Sequence, residues 1–162
     1  LTPLSKGSES PGAMIDFVLL INRQGKVRLT KWYAPYSEKE RTKAIHEVTN
    51  KVVGRSSRLC NVVEWRDKRL IYRRYASLYF LFCVDKTAND LLVFEGIHFM
   101  VELLDRYFNN VCELDLIFNF RKAHHIIDEF LIAGEFSESS KRNILRACSA
   151  HDQLEISYDV HS

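Results

Sequence analysis

The chain has no apolar run near the ~18 residues that a membrane-spanning helix requires. Its first residues lack the charged segment and apolar core of a secretory signal. Glycine is scarce: the six present fall into neither G-x-G-x-x-G nor the G-x-x-x-x-G-K pattern, so no phosphate-cradling loop is indicated. An excess of one charge is missing too. Against 23 lysines and arginines stand 21 acids, leaving no basic field to attract nucleic acid or anionic lipid. The four cysteines, Cys60, Cys83, Cys112 and Cys148, form no CxxC pair. In a reducing cytosol they read as free thiols rather than disulfides or metal ligands. His124 and His125 diverge by about 100° on a helix and do not converge on one metal. No local signature activates a thiolate, so the chain does not read as an enzyme, and no cofactor is called for.

What is present suits one globular domain. Of the 162 residues, 46% are apolar and 27% charged, enough for a sizeable core. Residues 1–13, small, polar and broken by Pro and Gly, read as a disordered tail or an expression-derived remnant outside the fold. The expected domain runs over 14–154, with 155–162 as a C-terminal tail.

Ile15 to Asn22 carries apolar residues on both parities, as a strand covered on both faces does. Arg23-Gln24-Gly25 supplies a turn, and Lys26 to Tyr33 returns. Strict alternation puts Val27 and Leu29 on one face and Lys26, Arg28 and Thr30 on the other. Arg28 is thus expected to point away from its apolar neighbours. Ser37 with Glu40 predicts a capping box opening a helix to Val53, with Ala44, Ile45, Val48 and Val52 as its buried stripe and Gly54 beyond its end. Two or three strands follow over Cys60 to Trp65 and Arg69 to Val84, with a turn near Asp67-Lys68.

The helix expected from Asp90 to Asn110 carries two apolar stripes. Phe94, Ile97, Val101, Leu104 and Phe108 form one; Leu92, Phe99, Met100, Leu103 and Tyr107 form the other. Together they span roughly 200°, about twice what a helix on one sheet needs. Another helix, a partner or a ligand must cover the surplus. One helix over Leu116 to Ile132 and a more polar one over Ser139 to Leu154 complete the order ββαβββααα. The class is α+β, an antiparallel sheet between helices.

Several segments resemble one family. Arg23-Gln24-Gly25-Lys26-Val27-Arg28-Leu29 with Lys31-Trp32-Tyr33 resembles the opening of clathrin adaptor small (sigma) subunits. Glu64-Trp65-Arg66, the run Tyr72 to Phe80 and the run Asn110 to Phe120 are similar to later parts of the same family, in order and without obvious gaps. Trp65 and Ala76-Ser77-Leu78 resemble the trans-Golgi and endosomal (type one) adaptor more than the plasma-membrane one.

The resemblance implies a longin-like fold, a five-stranded antiparallel sheet with one helix on one side and two on the other. It implies a heterotetramer with two large subunits and a medium (mu) subunit, cytoplasmic and peripheral on trans-Golgi, endosomal and coated-vesicle membranes. It further implies binding of acidic dileucine sorting signals (D/E-x-x-x-L-L/I) in the cytosolic tails of transmembrane cargo. By position the leucine pocket is then Ala76, Leu78, Val101, Val111 and Leu116 with Asn110 at its rim, and Arg28 meets the acid. Two other readings stand beside this one: a purely structural core subunit that binds no cargo, and a longin domain of a tethering or fusion factor. From pattern alone, Arg28 is a solvated strand residue, and Leu78, Val101, Val111 and Leu116 are plain core.

Overall fold

The computed structural model describes residues 13–55, 61–131 and 135–136. Strand β1 covers Ala13–Asn22, one residue earlier than the expected domain boundary. Its doubly apolar pattern has the anticipated outcome. Phe17, Leu19 and Ile21 feed one apolar cluster, while Ile15, Val18 and Leu20 feed another. β2 (Val27–Trp32), β3 (Val62–Trp65), β4 (Lys68–Tyr75) and β5 (Leu78–Asp85) join it in the antiparallel order β2-β1-β5-β4-β3. A two-residue strand, β6 (Glu135–Phe136), pairs with Ala13 and Met14 at the start of β1.

The stretch from Arg69 to Val84 is two strands because Ala76-Ser77 turns the chain, pairing Tyr75 with Leu78. Arg66 and Ala76 both have a φ of 53°, each the first residue of a two-residue hairpin loop. Positive φ at that position alone matches the II′ turn, which suits the right-handed twist of the strands. The turn expected near Asp67-Lys68 is therefore one residue earlier.

Helix α1 (Glu38–Val52) opens with the predicted capping box: Glu40 N–H donates to Ser37 Oγ at 3.2 Å, and Ser37 N–H donates to Glu40 Oε2 at 3.0 Å. Its Ala44, Val48 and Val52 are buried against the Phe17 face, with Ile45 half-buried beside them. Gly54, beyond the helix end, takes a φ of +89° that few other residues adopt cheaply. Helix α2 (Asp90–Phe108) lies on the other face, where Val93, Ile97, Met100 and Leu104 pack on Val18, Leu20, Phe80 and Phe82.

The expected helix over Leu116 to Ile132 is instead two: α3 (Glu113–Phe118) and α4 (Phe120–Phe130). Asn119, with φ −120° and ψ 39°, breaks the helical path between them. Ile132 and the segment 139–154 lie outside the described residues. Helix α4 supplies the missing cover for α2: Ile126, Ile127 and Phe130 join the same cluster, and the Phe99 and Phe130 rings stand 5.6 Å apart. One helix thus lies on one face of the sheet, and α2 with α4 and the short α3 on the other.

Of the described cysteines, Cys83 is buried in β5 and Cys112 is half-buried, both as free thiols. Burial pushes the Cys83 thiol well above its ordinary range. In the native protein, a maleimide at mildly alkaline pH is expected to label Cys112 and spare Cys83 until the chain unfolds. Mass mapping that finds Cys83 labelled as fast as Cys112 would contradict this packing.

Candidate functional site at the hairpin tip and helix ends

The six residues assigned to a leucine pocket come from five places. Ala76 is the first residue of the β4–β5 turn, Leu78 opens β5, Val101 lies in α2, Asn110 and Val111 link α2 to α3, and Leu116 lies in α3. Leu78, Val101, Val111 and Leu116 meet in one apolar cluster, none more than 3% exposed. Ala76 and Asn110 are exposed. Four buried apolar residues thus lie beside two exposed ones.

One carboxylate holds the rim together. Asp105, near the end of α2, accepts from the Tyr75 hydroxyl at 2.5 Å through Oδ2 and from Val111 N–H at 2.9 Å through Oδ1. Its backbone carbonyl accepts from Asn110 N–H at 3.1 Å. The hairpin tip and the α2–α3 link are thereby tied to one side chain. The bond to Asp105 also raises the Tyr75 phenol above its usual pKa. Asn109 and Asn110 have φ of 55° and 76°, a left-handed step that asparagine tolerates better than most residues. That step turns the chain out of α2 and sends Val111 inward.

Arg28 departs from the sequence expectation. The ladder between β1 and β2 pairs Leu20 with Leu29 and Ile21 with Val27, leaving Arg28 as an extra residue. This β-bulge breaks the alternation, so Val27 packs on the α1 face while Leu29 joins the α2 face. Val27 and Leu29 do not share a face. The bulge directs Arg28 to α3, where its Nε donates to Glu113 Oε1 at 2.6 Å. The same oxygen accepts from Asn22 Nδ2 at 2.8 Å.

Asn22 is itself held, since its Oδ1 accepts from the backbone N–H groups of Gln24 at 3.0 Å and Lys26 at 2.8 Å. The β1–β2 turn therefore fixes an amide that aims at Glu113. Asn22 first, and Arg28 second, hold the Glu113 carboxyl below the ordinary carboxylate range. Glu113, the partner of Arg28, sits one helical turn before Leu116, so the cationic and apolar features lie at one end of the molecule.

Sequence reasoning missed Glu113, Asn22 and Asp105. Glu113 lies inside the Asn110 to Phe120 run, and Asp105 belongs to neither apolar stripe of its helix. Arg73 and Arg74 separate as adjacent strand residues must. Arg73 meets His98 on α2, and Arg74 lies over the Tyr79 ring at 5.6 Å on the α1 face. His124 packs edge-on against Phe120, and His125 pairs with Glu129 one turn on at 3.1 Å. Among the described residues no helix is long and apolar enough to cross a membrane.

The family model for the clathrin adaptor complex small chain matches residues 14–155. The AP-1 complex subunit sigma-2 of Arabidopsis thaliana is 61% identical over 141 residues, covering 87% of each chain. Human AP-1 complex subunit sigma-1A is 49% identical over 142 residues, 88% of this chain and 90% of its own. The AP-2 complex subunit sigma of Dictyostelium discoideum is 52% identical over 141 residues, 87% of this chain and 99% of its own. The fold is similar to a chain in a homology model of the full-length AP-3 complex in a stretched open conformation. That likeness has a TM-score of 0.66 and 29% identity, over 90% of this chain and 98% of the other. The chain belongs to the clathrin adaptor small-chain family and is a small subunit of such a complex.

Proposed function

We propose that this small chain binds acidic dileucine signals on the cytosolic tails of membrane cargo, as part of an AP-1-type heterotetramer on trans-Golgi and endosomal membranes. Two large subunits and a medium subunit complete that assembly. The observation that carries the reading is the convergence at one end of the molecule. A bulged arginine, an apolar base from a strand, two helices and their link, and an exposed small residue at a hairpin tip all meet there. The peptide's two leucine-type side chains insert beside Leu78, Val101, Val111 and Leu116, passing Ala76 and Asn110, while its upstream acid reaches Arg28.

Magnitudes assign the work. Burying a leucine side chain contributes about 1.5–3 kcal/mol, whereas a partly exposed ion pair adds about 0–1. The apolar base supplies most of the affinity, and Arg28 fixes register and preference. Ordering an extended peptide subtracts from the gain, so single signals bind weakly and several per membrane act together. Because the four base residues are already buried, leucines enter only after the lining side chains shift.

A second role rests on a separate observation. Leu114, Ile117 and Phe118 are 59, 42 and 78% exposed, at i, i+3 and i+4 on α3, opposite the buried Leu116. Phe120, at the start of α4, is also exposed. An apolar row of this kind is what a neighbouring subunit of the complex covers, so the chain also braces the assembly.

Three outcomes are expected. Ala76→Asp in the assembled complex abolishes binding of a fluorescent acidic dileucine peptide in a polarisation assay. Co-purification of the variant with the other subunits checks that it folds, and unchanged affinity with the complex intact would sink the pocket assignment. Arg28→Ala weakens the acidic peptide by about twofold to fivefold and narrows its advantage over a neutral twin; an undiminished advantage would remove Arg28 from the reading. Phe118→Asp lowers recovery of the other subunits on co-purification, and full recovery would argue against α3 as a contact.

A further inference from the structure

Building on the reading of Arg28 above, we propose that Glu113 is an internal rival for the arginine that meets the cargo acid, and so sets how strongly the complex prefers acidic signals. The carboxylate is in place with no peptide present: its Oε1 lies 2.6 Å from Arg28 Nε and 2.8 Å from Asn22 Nδ2. Its anchor is firm. Asn22 is only 5% exposed and its amide is oriented by two backbone donors of the β1–β2 turn. An incoming acid therefore does not sweep Glu113 aside without leaving a buried amide donor unpaired.

The guanidinium has five N–H donors, and Glu113 engages it through Nε. Among the described residues no other partner of Arg28 appears, which leaves the Nη1 and Nη2 fork for a bidentate peptide carboxylate. Binding there puts two carboxylates on one cation. The Arg28 and Glu113 side chains are 21 and 25% exposed, so water screens the repulsion only in part. Lys26, whose charge also favours the ionised Glu113, offsets some of it. The upstream acid of the peptide is accordingly worth less here than beside an unpaired arginine. A neutral peptide feels none of this.

Glu113→Gln separates charge from shape, because glutamine still accepts from Arg28 Nε and Asn22 Nδ2. The assembled complex is titrated with a synthetic peptide bearing aspartate four places before a Leu-Leu pair, and with its asparagine twin. Glu113→Gln is expected to tighten the aspartate peptide about threefold to tenfold, leave the asparagine peptide within about twofold, and lose its effect when Arg28 is also alanine. No change, an equal change for both peptides, a weakened aspartate peptide, or an effect that survives Arg28→Ala would each overturn the proposal. Failure of the underlying reading looks different. Neither peptide binds the wild-type complex, or Arg28→Ala leaves the acid preference untouched, and the rival role falls with it.

Discussion

Strands β1 and β5 are buried on both faces, and most of the architecture follows from that constraint. Phe17, Leu19 and Ile21 on β1, with Leu81 and Cys83 on β5, need cover on one side. Val18, Leu20, Phe80 and Phe82 need it on the other. Backbone groups in such strands have no water to turn to, so the pair must be flanked by β2 and β4 as well as layered by helices. Helix α1 meets the first requirement with a narrow stripe. The second face takes a broader helix, α2, and α2 in turn requires α4.

The proposed cargo-binding end sits where this layering runs out. Leu78 begins β5, Val101 and Asp105 lie in the last two turns of α2, and α3 crosses toward β2. Irregular backbone concentrates here: a turn residue and two asparagines at positive φ, and an extra residue in the β2 ladder. Each irregularity places a side chain where regular geometry would not. The bulge brings Arg28 to α3, and the two asparagines send Val111 inward.

Periodicity made much of the fold legible. Both parities of β1, the capping box of α1 and the double stripe of α2 each follow from local rules that the packing obeys. The same rules fail where one residue is inserted. Alternation assigns Val27 and Leu29 to a common face, and only the pairing with β1 reveals that the count slips at Arg28. The break at Asn119 was hidden for a related reason, because the apolar residues of α3 and α4 happen to continue one spacing across it. Glu113 and Asp105 were out of reach because their importance comes from partners 85 and 30 residues away. The pocket positions came from likeness to a family. As a pattern, they are indistinguishable from core.

Asp105 has a mechanical consequence. A single carboxylate grips the phenol beside the hairpin tip and the amide of Val111, so these two segments are tied to each other. Helix α3 lies outside that tie: it has six residues, an apolar outer surface that is exposed, and a non-helical joint at Asn119. Glu113 ties the first residue of that helix to Asn22 and Arg28. In the proposed reading, a subunit seated on the outer surface of α3 and a peptide beneath it would both bear on that one carboxylate.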